Sequence, residues 1–217
     1  MRRPRILAGI LARILADLAR DTRGLAFIEF AFAAPIFLVL ILGGLELTNL
    51  AIAHLRVSQL AMTVADDAGR VTTGIDEANI YEVFAGADVI GSAIDFERNG
   101  RIVLSSLEDN GRTGGNAGQM IRWQRCWGDL DAAPAYGGQG TGSNNATLAQ
   151  GMGAAGRRVA SAPGTAVMFA EVTYVYQPLV ATNFFDPPTI RYESAFNVRG
   201  RQNNAISNTQ SLSRMTC

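Results

Sequence analysis

Glu29 is the one ionisable side chain in the 21 residues from Leu25 to Leu45. About 20 apolar residues are what a helix needs to cross hydrocarbon. A carboxylate near the bilayer centre costs at least about 2.5–3.5 kcal/mol, so it is usually kept there for a partner. Two readings of Glu29 follow. It pairs with a cation inside the membrane, or it lies only a turn or so deep and snorkels to the headgroups. Gly24 precedes it by five positions and ends Asp21-Thr22-Arg23-Gly24, a stretch that breaks helical patterning and offers the extended backbone a protease requires. Cys126 and Cys217 are the two cysteines. In an oxidising compartment an even pair most simply makes one disulfide; the other reading is two unpaired thiols.

Other residue types argue against catalysis. His54 is the single histidine and falls on a helical pattern barely two turns past the apolar run, so it reads as a surface residue. A nucleophile in the following domain has no histidine to serve it, and there is no CxxC, HExxH or zinc-like spacing. Asp66-Asp67, Glu108-Asp109 and Asp129 with Asp131 read as solvated acids, and the last pair lacks the further ligands and the glycine of a calcium loop. Gly151-Met152-Gly153-Ala154-Ala155-Gly156 matches a dinucleotide fingerprint only as a string, without the strand-loop-helix context that gives it meaning. Catalytic, cofactor-binding and metal residues are therefore all expected to be none.

The Gly24 to Glu29 spacing behind a basic leader resembles the processing site of type IV pilins and pseudopilins. That resemblance implies cleavage between Gly24 and Leu25 by a prepilin peptidase. It also implies that the freed amino group of one subunit meets the Glu29 carboxylate of another. Glu29-Phe30, Pro35 and Gly43-Gly44-Leu45-Glu46 narrow the likeness to the TadE-like family of tight-adherence (Flp/Tad) pilus assembly proteins. Ile121-Arg122-Trp123-Gln124-Arg125-Cys126 and Val172-Thr173-Tyr174-Val175-Tyr176-Gln177-Pro178-Leu179 also look familial. The resemblance implies a minor pseudopilin, a structural and interaction protein without enzymatic activity. Its partners would be the inner membrane, other pilins and pseudopilins, the assembly machinery and the prepilin peptidase. The competing reading is a single-span anchored periplasmic domain, never cleaved, that binds a ligand or scaffolds an envelope complex.

Charge sets the orientation. Six arginines and two acids precede the apolar run, whereas 13 arginines face 15 acids after Leu47. Positive flanks stay cytoplasmic, which predicts a single-pass chain with an exported C-terminal domain; the resemblance implies that the membrane is the bacterial inner membrane and the far side the periplasm. With no strongly basic face, nucleic-acid binding is not expected.

The elements that must position these residues follow from periodicity. Residues 1–24 read as the removable leader, with Ile6, Leu7, Ile10, Leu11, Ile14, Leu15 and Leu18 on one helical face. Residues 25–70 read as a transmembrane and protruding helix, loosened or kinked at Pro35, with Leu47, Leu50, Ala51, Leu55, Ser58, Met62 and Ala65 continuing its apolar spacing. Residues 71–217 read as an exported α+β domain. In it a helix opens at Asp76-Glu77 and ends near Ser92, with Ile80, Val83, Phe84, Ala87 and Ile90 or Gly91 inward. Arg101–Leu107 and Gln119–Trp127 predict a hairpin. Gly128–Gly164 is the least ordered-looking stretch. Thr165–Gln177 predicts a strand whose Met168, Ala170, Val172, Tyr174 and Tyr176 face the core. Asn183–Pro188 predicts a loop, Thr189–Val198 a last strand, and Gly200–Ser213 a loosely held tail. The fold class is thus α+β: a long pilin-like transmembrane helix, then a small antiparallel sheet with one packed helix.

Overall fold

A computed structural model describes residues 4–21, 24–180, 186–201 and 203–217. Arg2, Arg3 and Arg23 of the basic flank, and Asn183, Phe184 and Phe185 of the expected loop, lie outside the described residues. The chain divides into two compact units, Met1–Leu47 and Thr48–Cys217.

In the first unit, α1 (Pro4–Arg20) begins on a proline, which the first helical turn tolerates, and has Arg20 in its last turn, where a cation suits the helix dipole. α2 (Leu25–Arg70) starts directly after Gly24. Pro35 removes the donor that would reach the Ala31 carbonyl, yet the helix is not interrupted there.

In the second unit the α2 residues from Thr48 onward supply one wall of a core. Ala53, Val57, Leu60, Ala61, Val64, Ala65 and Ala68 are buried at three- and four-residue spacing. This face is offset from the expected series, whose members Leu47, Leu55 and Met62 are exposed. α3 (Glu77–Gly91) buries Ile80, Val83, Phe84, Ala87 and Gly91, close to the expected face. Its N-terminus is capped by Asp76, whose carboxylate accepts from Ala78 N, while Asn79 Oδ1 accepts from Asp76 N. A 3-10 turn (Ser92–Ile94) leads into α4 (Phe96–Asn99), a short helix the sequence pattern does not announce. Fully buried Phe96 holds it in place, stacked on Trp127 and Tyr174. Gly91 and Gly100 make the room: a Cβ on either would sit 2.7 or 2.5 Å from Phe96 atoms.

Four strands, β1 (Gly100–Asp109), β2 (Gln119–Trp127), β3 (Ala166–Val175) and β4 (Thr189–Asn197), form one antiparallel sheet in the order β2-β1-β3-β4. As expected from alternation, Met168, Ala170, Val172, Tyr174 and Tyr176 join the α2 and α3 side chains in the main core. The opposite face is covered too. Leu107, Ile121, Val167 and Phe169 pack there against Leu148 and Met152 from the Gly-rich stretch, with Tyr136 and Val159 at the margin. Residues 128–164 contain no named helix or strand, so their irregular backbone agrees with the sequence reading, but they act as a fitted lid. Gly142 shows why glycine is needed: its φ is +82°, and a Cβ there would meet Gln119 O at 2.1 Å.

The tail departs from its sequence reading as well. Arg201 and Asn204 are buried. Arg201 donates to the Ala68 and Val71 carbonyls at the end of α2, where a cation satisfies orphan acceptors. Trp123 Nε1 donates to Asn204 O at 2.9 Å. Ser207 and Thr209 bind the Asp76 carboxylate. A tail expected to be loose is thus fastened at three places.

Candidate functional site

Apolar exposure dominates α2 before Thr48. Phe27, Phe30 and Phe32 are more than two-thirds exposed, at 77, 68 and 76%. Ile36, Phe37, Leu38, Val39, Leu40 and Ile41 are exposed as well, so the apolar surface runs around the whole helix rather than along one stripe. Water would penalise this surface at about 25 cal/mol per Å², and a helix apolar all round is stable only when buried or in a membrane. Within it is an apolar 18-residue window of which none is buried, long enough to span a bilayer. A single N-terminal helix of this kind suggests membrane anchoring.

Glu29 sits in the second turn of this helix and is exposed. Helical spacing places Leu25, Ala26, Phe32 and Ala33 around it, and among the described residues no cation pairs with it. Gly24 is exposed, its carbonyl accepts the first helical bond from Ile28 N at 3.1 Å, and nothing stands within 4 Å of where its Cβ would be. The structure therefore puts Gly24 directly before α2, with Leu25 and Glu29 on its first two turns.

Past Thr48 the same helix carries a second apolar face. Ile52, Leu55 and Met62, spaced to lie together, are 44, 71 and 49% exposed, on the side away from the buried Val57, Leu60 and Val64. His54 is exposed beside Tyr192, with Nδ1 3.3 Å from the phenol oxygen.

Cys126 and Cys217 form a disulfide spanning 91 positions. It ties the tail to β2, where Cys126 N also donates to Met215 O at 2.8 Å. The β2 edge is closed further along by Thr141 O, which accepts from Ile121 N, and by Gly140 N, which donates to Ile121 O.

Two charged groups escaped sequence reasoning. Glu77, expected only as a favourable first-turn acid, is 1% exposed and makes a two-pronged ion pair with Arg125, itself 3% exposed. Glu171 is buried beneath the lid. One of its oxygens accepts from Ala135 N at 2.8 Å, the other has no hydrogen-bond partner, and burial above all pushes its pKa up to about 7. Alternation assigned Glu171 to the outward set, but Val167 and Phe169 in that same set were the available signal of a covered face. The remaining acids lie apart: Asp66 pairs with Arg70 and Arg199, and Glu108 meets Ser106 and Arg122.

Searches of curated proteins and of solved structures return no match to this chain. A family model described as TadE-like protein matches residues 24–66, from the glycine before α2 to four residues short of the helix end. The segment that carries Gly24, Glu29 and both exposed apolar faces is therefore similar to TadE-like proteins, a likeness that suggests a Tad pilus-associated component.

Proposed function

We propose that this chain is a minor pseudopilin of tight-adherence pilus assembly, anchored in the inner membrane with its Thr48–Cys217 unit in the periplasm. The observation that carries the reading is α2: one helix, TadE-like over most of its length, apolar all round before Thr48 and bearing a second exposed apolar stripe beyond it. A helix that buries one face in its own core and leaves another apolar is suited to lateral association with other helices.

In this reading a prepilin peptidase hydrolyses the Gly24–Leu25 bond and frees the Leu25 amino group. Glu29 is then the counter-charge for the amino group of a neighbouring processed subunit, which would neutralise both inside the apolar environment. The Thr48–Cys217 unit selects which neighbours fit. Its role is structural, so no reaction is assigned to its acids.

Processing tests the proposal. The full chain is expressed with an active prepilin peptidase and recovered from membranes, and its N-terminal residue and mass are determined. Leu25 as the first residue is expected. Recovery of intact Met1–Cys217 as the sole species would overturn the pseudopilin assignment in favour of an uncleaved anchored domain. Because a Cβ at Gly24 meets nothing, Gly24→Ala should leave the fold unchanged while slowing cleavage.

A further inference from the structure

Glu171 on β3 and Glu193 on β4 are directly opposed in the antiparallel register, so their side chains share one face of the sheet, Glu171 buried beneath the lid and Glu193 exposed at its margin. Like charges opposite one another destabilise a strand pair. Both carboxylates are also attachment points for the lid. Ala135 N donates to Glu171 at 2.8 Å, and the Tyr136 hydroxyl donates to Glu193 at 2.7 Å while its ring packs edge-on against Phe169. A cleft of about 30 Å³ remains between them, lined by Ala135, Glu171, Thr173, Arg191 and Glu193. The second Glu171 oxygen is buried without a partner.

Other charges face this pair without resolving it. Arg191, next but one to Glu193, is exposed and directs its Nε to Thr173 Oγ1 at 3.3 Å. Arg101 on β1 stands diagonally across and donates to Gly128 O, its own Nε buried and unpartnered. Arg157 of the lid lines the neighbouring cleft with Glu193. None of them forms an ion pair with Glu171 among the described residues. The group that best relieves an orphaned, buried oxygen opposite a second carboxylate is a proton.

We propose that Glu171 and Glu193 form a proton-dependent latch that clamps residues 132–136 of the lid onto the sheet while Glu171 is neutral and loosens the lid when Glu171 ionises. The proton leaves the buried Glu171 oxygen for solvent, and the resulting anion confronts Glu193. The direction follows from the raised pKa of Glu171, an ordinary 4.5 lifted to about 7 chiefly by burial. A carboxyl that holds its proton more tightly in the closed state favours closure fully below pH 4.5 and loses that contribution as pH rises to about 7. Within that window the closed-to-open ratio falls by up to about tenfold per pH unit.

Hydrogen exchange on the detergent-solubilised full chain, corrected for intrinsic rates, reads the latch. Protection of residues 132–136 should fall at least about tenfold between about pH 5 and about pH 8, with β1 and β3 unchanged. Glu171→Gln should hold the protection seen at acid pH throughout. If that variant fails to fold, Glu193→Gln serves instead, because removing the opposing charge should move the midpoint of the loss downward. Equal wild-type protection at both pH values, or a Glu171 carboxyl that titrates near its ordinary value by NMR, would overturn the latch. So would restoration of alkaline protection by millimolar calcium, which would make the cleft a cation site.

Discussion

Replacing Glu29 by Gln keeps the side chain's length and removes its charge. If Glu29 only snorkels, the change relieves desolvation and leaves assembly intact. If it meets a subunit's amino group, the change leaves that cation buried and unpaired, a loss of about 3–5 kcal/mol by analogy with protein interiors. The proposed function predicts normal insertion of Glu29→Gln with loss of co-purifying pilin-like partners and of piliation. Asp76 offers a residue-level test in the second unit. The Thr209 N–H foremost, then the Ser207 hydroxyl and Ala78 N–H, hold its carboxyl down to about 2. The stability it contributes is present above pH 3.8 and lost as pH falls toward about 2. Thermal melts should therefore show that Asp76→Ala lowers Tm at neutral pH and flattens the acid-side decline. At Gly100 a methyl group would collide with the Phe96 ring, so Gly100→Ala should destabilise by about 1–3 kcal/mol in chemical denaturation.

At the level of elements, periodic patterns were readable and packing partners were not. α2, α3 and all four strands announce themselves because three-and-four or alternating spacing persists over many residues. α4 is four residues long and exists because Phe96 fills the space left by Gly91 and Gly100, which no local pattern records. Which face of α2 packs into the chain's own core is not legible locally, because past Thr48 the helix carries two apolar faces and spacing alone does not rank them. The Glu77–Arg125 pair joins residues 48 apart, beyond any local signal. Of the candidate site, the apolar helix, Gly24 and Glu29 were legible from composition and spacing, whereas the lid's role rests on single apolar residues in a Gly-rich stretch. Leu148 and Met152 are two of these, at 6 and 0% exposure. Truncation of Met152 to Ala should cost about 2–5 kcal/mol, a core-like value measured by denaturant melts. A merely disordered loop would show almost no change.

For the whole molecule, division into two units predicts that a chain beginning at Thr48 keeps its disulfide and a cooperative thermal transition without detergent, whereas the full chain needs detergent or lipid. The test is circular dichroism with non-reducing mass spectrometry on both forms. Reduction should lower stability by up to about 4–5 kcal/mol in chain-entropy terms, with strain and residual structure reducing that value. Strand order has a consequence for how the chain reaches this state. β1 and β2 are neighbours in sequence and can pair early, but the other edge of β1 waits for β3, which arrives only after the whole 128–164 excursion has been made. Pairings between distant segments slow folding, and halving such a loop returns only about 0.6 kcal/mol, so shortening the excursion is a weak remedy. During that interval a newly formed β1–β2 hairpin displays a bare edge with Ile102 and Leu104 uncovered. A second unfinished chain can supply the strand that its own β3 has yet to provide, which makes the refolding yield fall as concentration rises.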